Sequence, residues 1–385
     1  MQLLDSNIQH YHWGDYKFIP ELQGRASEKT PEAELWMGAH PKSPSRTLGS
    51  DQALDELITL NPMETLGEHA KDFNEELPYI MKILAIRSPL SLQVHPTEEQ
   101  AKEGFENETT LEKENRSYFS PRGKEEIVCA ITDTDIKFGF RESKEISEIF
   151  GLATKAEFQH FQEVLSVEDT QKALKDIVGR ILKYQPDQVH SFIEDILATA
   201  KNTTFLSDRE MSYFADLVEI YPTDPGMIIF LMMNFLTLQP GESLYVPPTI
   251  THAYLYGNAI EITSNSDNVL RCGLSPKQLD HNEYLKVGTF TPSNPDVQKP
   301  EGNIHTYTSP TQFSLSRLDI ENEWNTILNG PEILLSTEGA FTIVNAFGQS
   351  LRVEQGTPVW IPYSDTHYHI SGTCLIFRCA TQIVN

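Results

Sequence analysis

At 385 residues the chain is too long for one ordinary core; with 39% apolar and 10% aromatic residues and no low-complexity tract it reads as a folded protein of two or three domains. A formal net charge of −25 with no basic stripe argues against a nucleic-acid binder, and any anionic substrate then requires a local cluster of Lys and Arg. Four cysteines without a CxxC pair, and an N-terminus (Met1 to Ser6) with neither a basic nor an apolar stretch, point to a reduced, cytoplasmic setting.

The region 1–145 mixes short alternating runs with turn signals. Tyr79–Ala85, Leu90–His95 and Glu126–Ile131 read as strands, and the polar stretch Thr97–Lys124 as a short helix followed by a loop. The period then changes. Ala173, Leu174, Ile177, Val178, Ile181 and Leu182 recur at helical spacing, with Ser166 as N-cap and Pro186 past the end. Val189 to Leu197 and Met211 to Tyr221 repeat the pattern until Pro222, so 146–222 reads as a helical insert whose apolar stripe is core and carries no chemistry. Met227–Met233 is apolar but far short of the ~20 residues of a membrane span; it reads as a buried element, and no membrane partner is expected.

Strands return at Pro240-Gly241 and run to Tyr245-Val-Pro247, with His252 five residues further on. The same grammar recurs at Gly356-Thr-Pro-Val-Trp360-Ile-Pro362, with His367 five past Pro362. The repeat predicts a mainly β fold with a helical insertion. Two β domains are built alike, 1–145 with 223–290 and then 291–385, each a jelly roll of the cupin sort. No Gln-x-His or His-x-His pair precedes His367; residues 333–347 offer only Glu338, and His305 is isolated. The second domain is therefore expected to be structural and without metal, including at His369.

Within the first domain, Gln93 and His95 project from one face of their strand. With Glu126 and His252 they could enclose one divalent ion. Such a set suits zinc, and its N/O donors leave manganese, nickel and iron open. Ordinary strand histidines are the plainer alternative.

Longer motifs add to this. Glu34-Leu-Trp-Met-Gly38 with His40-Pro41, Leu77-Pro-Tyr-Ile-Met-Lys82, Leu90-Ser-Leu-Gln93-Val-His95-Pro96, His252-Ala-Tyr-Leu255 with Glu261, and Ser266-Asp-Asn-Val-Leu-Arg271-Cys-Gly-Leu-Ser-Pro-Lys277 occur in order, after Tyr11-His-Trp13-Gly14. In these segments the chain resembles the type I mannose-6-phosphate isomerases; beyond residue 290 the likeness is only of general cupin character. The resemblance implies one zinc per chain held by Gln93, His95, Glu126 and His252. It implies Arg271 as the catalytic arginine, with Trp13, Glu34, Lys82, Lys124, Glu261 and Lys277 lining the pocket. The chain departs from the family before the carboxylate ligand: Gly123 stands where relatives often have His, and Glu125 where they have Pro. A one-residue slip there would turn Glu125 inward instead of Glu126.

The implied reaction interconverts mannose 6-phosphate and fructose 6-phosphate by moving a proton between C2 and C1 through an enediolate. It needs a cation at the substrate oxygens, an acid–base pair and a phosphate anchor. Arg271 suits charge stabilisation because it does not deprotonate, and Lys277 and Lys82 are the expected phosphate partners. Glu261, Lys124 and a metal-held water remain candidates for the base. Asp267-Asn268 reads as a turn bonding its own backbone. Trp13 and Trp36 are equally sugar-stacking wall or core. Two other functions compete: a cupin metal-dependent oxygenase, and a non-catalytic sugar- or metal-binding cupin. A hexose phosphate is the expected partner, and the chain a monomer or small homo-oligomer.

Overall fold

The computed structural model describes residues 1–167, 170–200, 203 and 205–382. It is mainly β, with sheets of seven, eleven and four strands and eleven α-helices among the described residues. No helix among them is long and apolar enough to cross a membrane.

Strands Tyr79–Ile86, Leu92–Val94 and Glu126–Ala130 lie where the alternation puts them. The first is buried throughout because its two faces meet different cores. Leu84 and Ile86 pack inward with Trp13, Val128, Ala130, Phe138, Val246 and Tyr254. Met81, Ile83 and Ala85 pack outward with Phe313, Ile333, Trp360 and Phe377 of the C-terminal region. Period two thus explains a run that is apolar on both sides, with Lys82 as its one inward charge.

The long strand His252–Ser264 joins two layers. Its first half pairs with Gln93 and with Thr134–Phe140; its second half pairs with Tyr79–Ile86 and Glu126–Ala130. The change of partner falls at a register shift after Tyr254 and at Gly257, whose φ of +114° favours glycine and where a Cβ would lie 2.4 Å from the Asp133 carbonyl oxygen.

Between Phe140 and Met233 the chain forms helices Ser143–Phe150, Ala156–Val167, Thr170–Ile181, Pro186–Thr199, Asp208–Ile220 and Gly226–Met232. Ala173, Leu174, Ile177, Val178 and Ile181 are buried among the other helices, in the cluster that also holds Leu92, Val94, Leu270 and Cys272 of the sheet. Each large apolar side chain so buried contributes roughly 1.5–3 kcal/mol. Ser166 is not the cap of the third of these helices: it lies inside the second, its hydroxyl donating to the Glu163 carbonyl. Pro186 opens the fourth helix at its first turn, where its missing N–H costs nothing. Every residue of Gly226–Met232 is buried, as its apolar run requires.

Polar bonds fix this layer to the sheet. Glu210 on Asp208–Ile220 takes the Lys137 ammonium and both Arg141 contacts at 2.7 Å. Arg209 and Tyr213 meet Asp135 at 2.6 and 2.5 Å.

In the C-terminal region, Glu332 pairs with Ile361, the residue before Pro362, as Glu126 pairs with Val246, the residue before Pro247. Sequence reasoning misses Glu332. It is buried, bonded by Arg378 Nε and the Tyr368 hydroxyl at 2.7 Å each. The strand His367–Gly372 turns Tyr368 inward and His367 and His369 outward, His369 lying 3.6 Å from Glu323.

Candidate active site

The β pairing assembles the site before any side-chain contact is considered. Lys82 is the cross-strand partner of both Trp36 and Glu261, and Glu126 of Thr263. Gln93 lies between His252 on one strand and Arg271 on the other. Directly paired residues share a face, so Trp36, Lys82, Glu261, Glu126, Gln93, His252 and Arg271 face one interior.

Four side chains converge at the bottom. His95 Nε2 lies 3.1 Å from Glu126 Oε1, His252 Nε2 3.5 Å from Glu126 Oε2, and Gln93 Nε2 3.3 Å from His252 Nε2. The donor atoms of His95, Glu126 and His252 all fall within 4.8 Å of one another. Each imidazole spends Nδ1 on a backbone carbonyl, His95 on Asn268 at 2.7 Å and His252 on Ile250 at 3.0 Å. That fixes Nδ1 as the protonated nitrogen and leaves the Nε2 lone pairs aimed inward, the tautomer a metal requires. Burial and then the Lys124 charge push His95 down to about 3, and burial lowers His252. Both rings are therefore neutral at pH 7.

Glu126 is fully buried. Its burial alone would raise the carboxyl, but Lys124 and His95 outweigh it and hold Glu126 well below the usual carboxylate range. The Tyr254 hydroxyl donates to Oε2 at 2.7 Å, while Oε1 has no well-aligned hydrogen bond although the Lys124 ammonium sits 2.8 Å away. Two neutral imidazoles, an ionised carboxylate with an orphaned oxygen and an amide that can turn its oxygen inward fit one zinc ion.

Above lies a cavity of about 410 Å³. Nine of the sequence candidates line it: Trp13, Glu34, Lys82, Gln93, Lys124, Glu126, Glu261, Arg271 and Lys277. His95 and His252 sit behind Glu126 as its partners. Trp13 and Trp36 are both buried and both on the wall, so core and wall are one role here. Trp36 Nε1 donates to the Glu34 carboxylate.

Besides Lys42, the cations on the wall divide into two kinds. Lys82 lies 2.7 Å from Glu261, and its burial, which alone would lower it, is outweighed by Glu261 and Glu34. Lys124 rests on Glu126. Arg271 and Lys277, in contrast, make no ion pair with any described residue: Arg271 reaches only the Val269 carbonyl at 3.4 Å, and Lys277 lies over the Tyr11 ring at 5.3 Å. Burial lowers both, with Arg271 also acting on Lys277. Glu261 is pushed up to about 7 by burial and then by Glu126, against Lys82 and Lys124.

Asp267 and Asn268 do more than close a turn. Asp267 binds Lys42 at 2.8 Å and faces His40 at 3.4 Å on the cavity wall. The Asn268 amide group donates to Ser120 and Arg122 carbonyls at 2.7 and 2.9 Å, holding the loop that leads to Lys124. Tyr254 was findable, two residues past His252 on the same strand face. Lys42 and Tyr221, also on the wall, carry no sequence signal.

Residues 1–143 match the phosphomannose isomerase type I catalytic domain. The chain is 31% identical to the mannose-6-phosphate isomerase of Salmonella typhimurium over 100% of both chains, and 31% identical to that of Escherichia coli over 97% of each. Among solved structures it resembles a mannose 6-phosphate isomerase bound with zinc and yttrium, with a TM-score of 0.89, 30% identity and full coverage of both chains. It resembles the apo form from Salmonella typhimurium equally, with a TM-score of 0.89, 30% identity and 99% of that chain covered. The chain belongs to the type I mannose-6-phosphate isomerase family.

Proposed function

We propose that the chain interconverts D-mannose 6-phosphate and D-fructose 6-phosphate with one zinc ion held by Gln93, His95, Glu126 and His252. The observation that carries this is the pairing, in one cavity, of that donor set with two cations, Arg271 and Lys277, that make no ion pair among the described residues. An uncompensated Arg–Lys pair in a protein of net charge −25 suits a dianionic phosphate. An oxygenase has no comparable need for it.

The roles follow from position. Lys277 and Arg271 receive the phosphate and orient the sugar, with Trp13 against its apolar face and Glu34 as a hydroxyl acceptor. Zinc, bound at its four donors, supplies Lewis-acid polarisation of substrate oxygens. Glu261, held near neutrality and paired with Lys82, takes the proton from one carbon and returns it to its neighbour, while the hydroxyl proton passes between the two oxygens those carbons carry. Lys124, beside Glu126, meets negative charge as the enediolate forms. Lys82 thus serves the acid–base pair and not the phosphate. The strand pairing shared by Glu126 and Glu332 supports the two cupin-type β units expected at 1–145 with 223–290 and at 291–385; the helices that interrupt the first unit run from Ser143 to Met232, past the expected 146–222 at both ends.

Conversion of mannose 6-phosphate, followed by NMR of the product, tests the assignment. Fructose 6-phosphate is the expected product, and His95→Ala is expected to lose at least about 100-fold in turnover together with its zinc. Zinc-replete protein that binds hexose phosphates and converts none would instead mark a binding module.

A further inference from the structure

The helical segment reaches the cavity at the turn between Asp208–Ile220 and Gly226–Met232. Tyr221, the first residue past the former helix, lines the wall together with Leu274, Ser275, Pro276 and Lys277. Three residues later Asp224 turns a half-buried carboxylate toward both sides of the junction. Its Oδ1 accepts from the Gly226 N–H and its Oδ2 from the Leu274 N–H, each at 2.7 Å. The two backbones touch here: a Cβ on Gly226 would lie 2.8 Å from the Gly273 Cα, and one on Gly273 would lie 2.6 Å from the Gly226 Cα.

What this junction holds is unusual backbone. The strand Leu270–Gly273 shifts register between Arg271 and Gly273, and Leu274 adopts φ +55°, a left-handed conformation that a leucine occupies only when its surroundings enforce it. Leu274 begins the short loop that ends at Lys277, and Arg271 lies three residues before it. The carboxylate bond to its N–H is the polar contact that pins the peptide where strand becomes loop. Asp224 itself lines no part of the cavity.

We propose that Asp224 is a positioning residue: anchored on the helical segment, it fixes the Leu274 peptide and so sets Lys277, relative to Arg271, at the spacing that receives the substrate phosphate. This rests on the anion-binding role assigned above to Arg271 and Lys277. It also gives the helical segment a part in substrate binding.

A double-mutant cycle of Asp224→Asn and Lys277→Ala on the zinc-loaded enzyme tests it. Asp224→Asn keeps the side-chain shape but can accept only one of the two N–H bonds. It is expected to raise KM for mannose 6-phosphate and the inhibition constant of inorganic phosphate about tenfold, with kcat and zinc content within about twofold of the parent. In the Lys277→Ala background the same change is expected to alter KM by less than about twofold. If the Asp224→Asn effect multiplies in full with that of Lys277→Ala, or falls on kcat or zinc content instead, the positioning role is wrong while the anion site stands. If Lys277→Ala alone leaves KM and phosphate inhibition unchanged, the anion-site assignment itself is wrong. Should Asp224→Asn not fold, Gly226→Ala, whose Cβ would lie 2.8 Å from the Gly273 Cα and 2.9 Å from Asp224 Oδ1 and so displaces the same contact, carries the same expectation, and an unchanged phosphate inhibition constant there overturns the proposal.

Discussion

His95 and His252 are prepared by what they do with their other nitrogen. Each Nδ1 is committed to a backbone carbonyl, so neither ring can rotate or change tautomer without breaking a buried bond. Tyr254 does the same for Glu126, and Tyr254→Phe is expected to weaken zinc binding about 10- to 100-fold, read by competition with a chelator. Proton competition has a definite sign. A neutral buried His95 with a pKa of about 3 is unprotonated where an unfolded histidine, near 6.5, already binds a proton. Its contribution to stability is complete above pH 6.5 and falls by on the order of 1 kcal/mol per pH unit from there toward pH 3. Glu261 sets a second dependence. As a base it must be ionised, so kcat/KM is expected to fall as pH drops through about 7, and Glu261→Gln to remove both that limb and most of the activity. A cation on Glu126 relieves part of the repulsion that raises Glu261, which moves the limb toward lower pH. The convergence of the proposed metal donors was legible in part, because strand alternation puts Gln93 and His95 on one face, whereas the partition of the cations was not. Nothing in the sequence says that Lys82 pairs with Glu261 while Lys277 makes no ion pair with any described residue.

At the scale of elements, the site depends on two attachments. The first is the helix Asp208–Ile220, whose Glu210 neutralises the buried Lys137 and Arg141. Glu210→Ala leaves the buried Lys137 without a carboxylate and Arg141 with only Glu145 at 3.8 Å, and is expected to cost about 3–5 kcal/mol in denaturant unfolding. The second is the loop before Glu126. A Cβ at Gly123 would lie 2.5 Å from the Glu98 nitrogen and 2.7 Å from the Thr97 carbonyl carbon, and its N–H donates to the Glu98 carboxylate at 2.7 Å. The loop is thus seated on the start of helix Glu98–Asn107, with no room for a Cβ at position 123 unless backbone moves. Gly123→Ala is expected to cost about 1–3 kcal/mol in the same measurement, because backbone must move to admit one methyl group. Glu125 points the other way, toward the Tyr245 hydroxyl at 2.9 Å, so the register places Glu126 inward. Helices and strands were legible from their periods. The docking of Asp208–Ile220 on the sheet was not, because Lys137, Arg141 and Glu210 read singly as surface charges. Tyr221 was lost for the same reason, counted in an apolar stripe although it ends on the cavity wall.

Across the whole molecule, three buried clusters meet around the interior of the first β unit: the helical layer, the interface with the C-terminal strands and the interior itself. The proposed zinc donors come from positions 93, 95, 126 and 252, so a bound ion ties together segments up to 159 residues apart. Binding that favours the folded state is expected to raise Tm with zinc concentration, by about 2.7 kcal/mol of stability at 100 times Kd, and His95→Ala to abolish the dependence. In the C-terminal region Glu332, which shares the strand pairing of Glu126, is met by Arg378, a cation the chain itself supplies. The central claim is that isomerisation depends on one ion at the Glu126 cluster. Stripping the protein of metal, adding back zinc in sub-stoichiometric steps and measuring fructose 6-phosphate formation on each sample tests it directly. Turnover is expected to rise in proportion to bound zinc and to level off at one per chain. Full turnover in the stripped protein, or none at one zinc per chain, contradicts it.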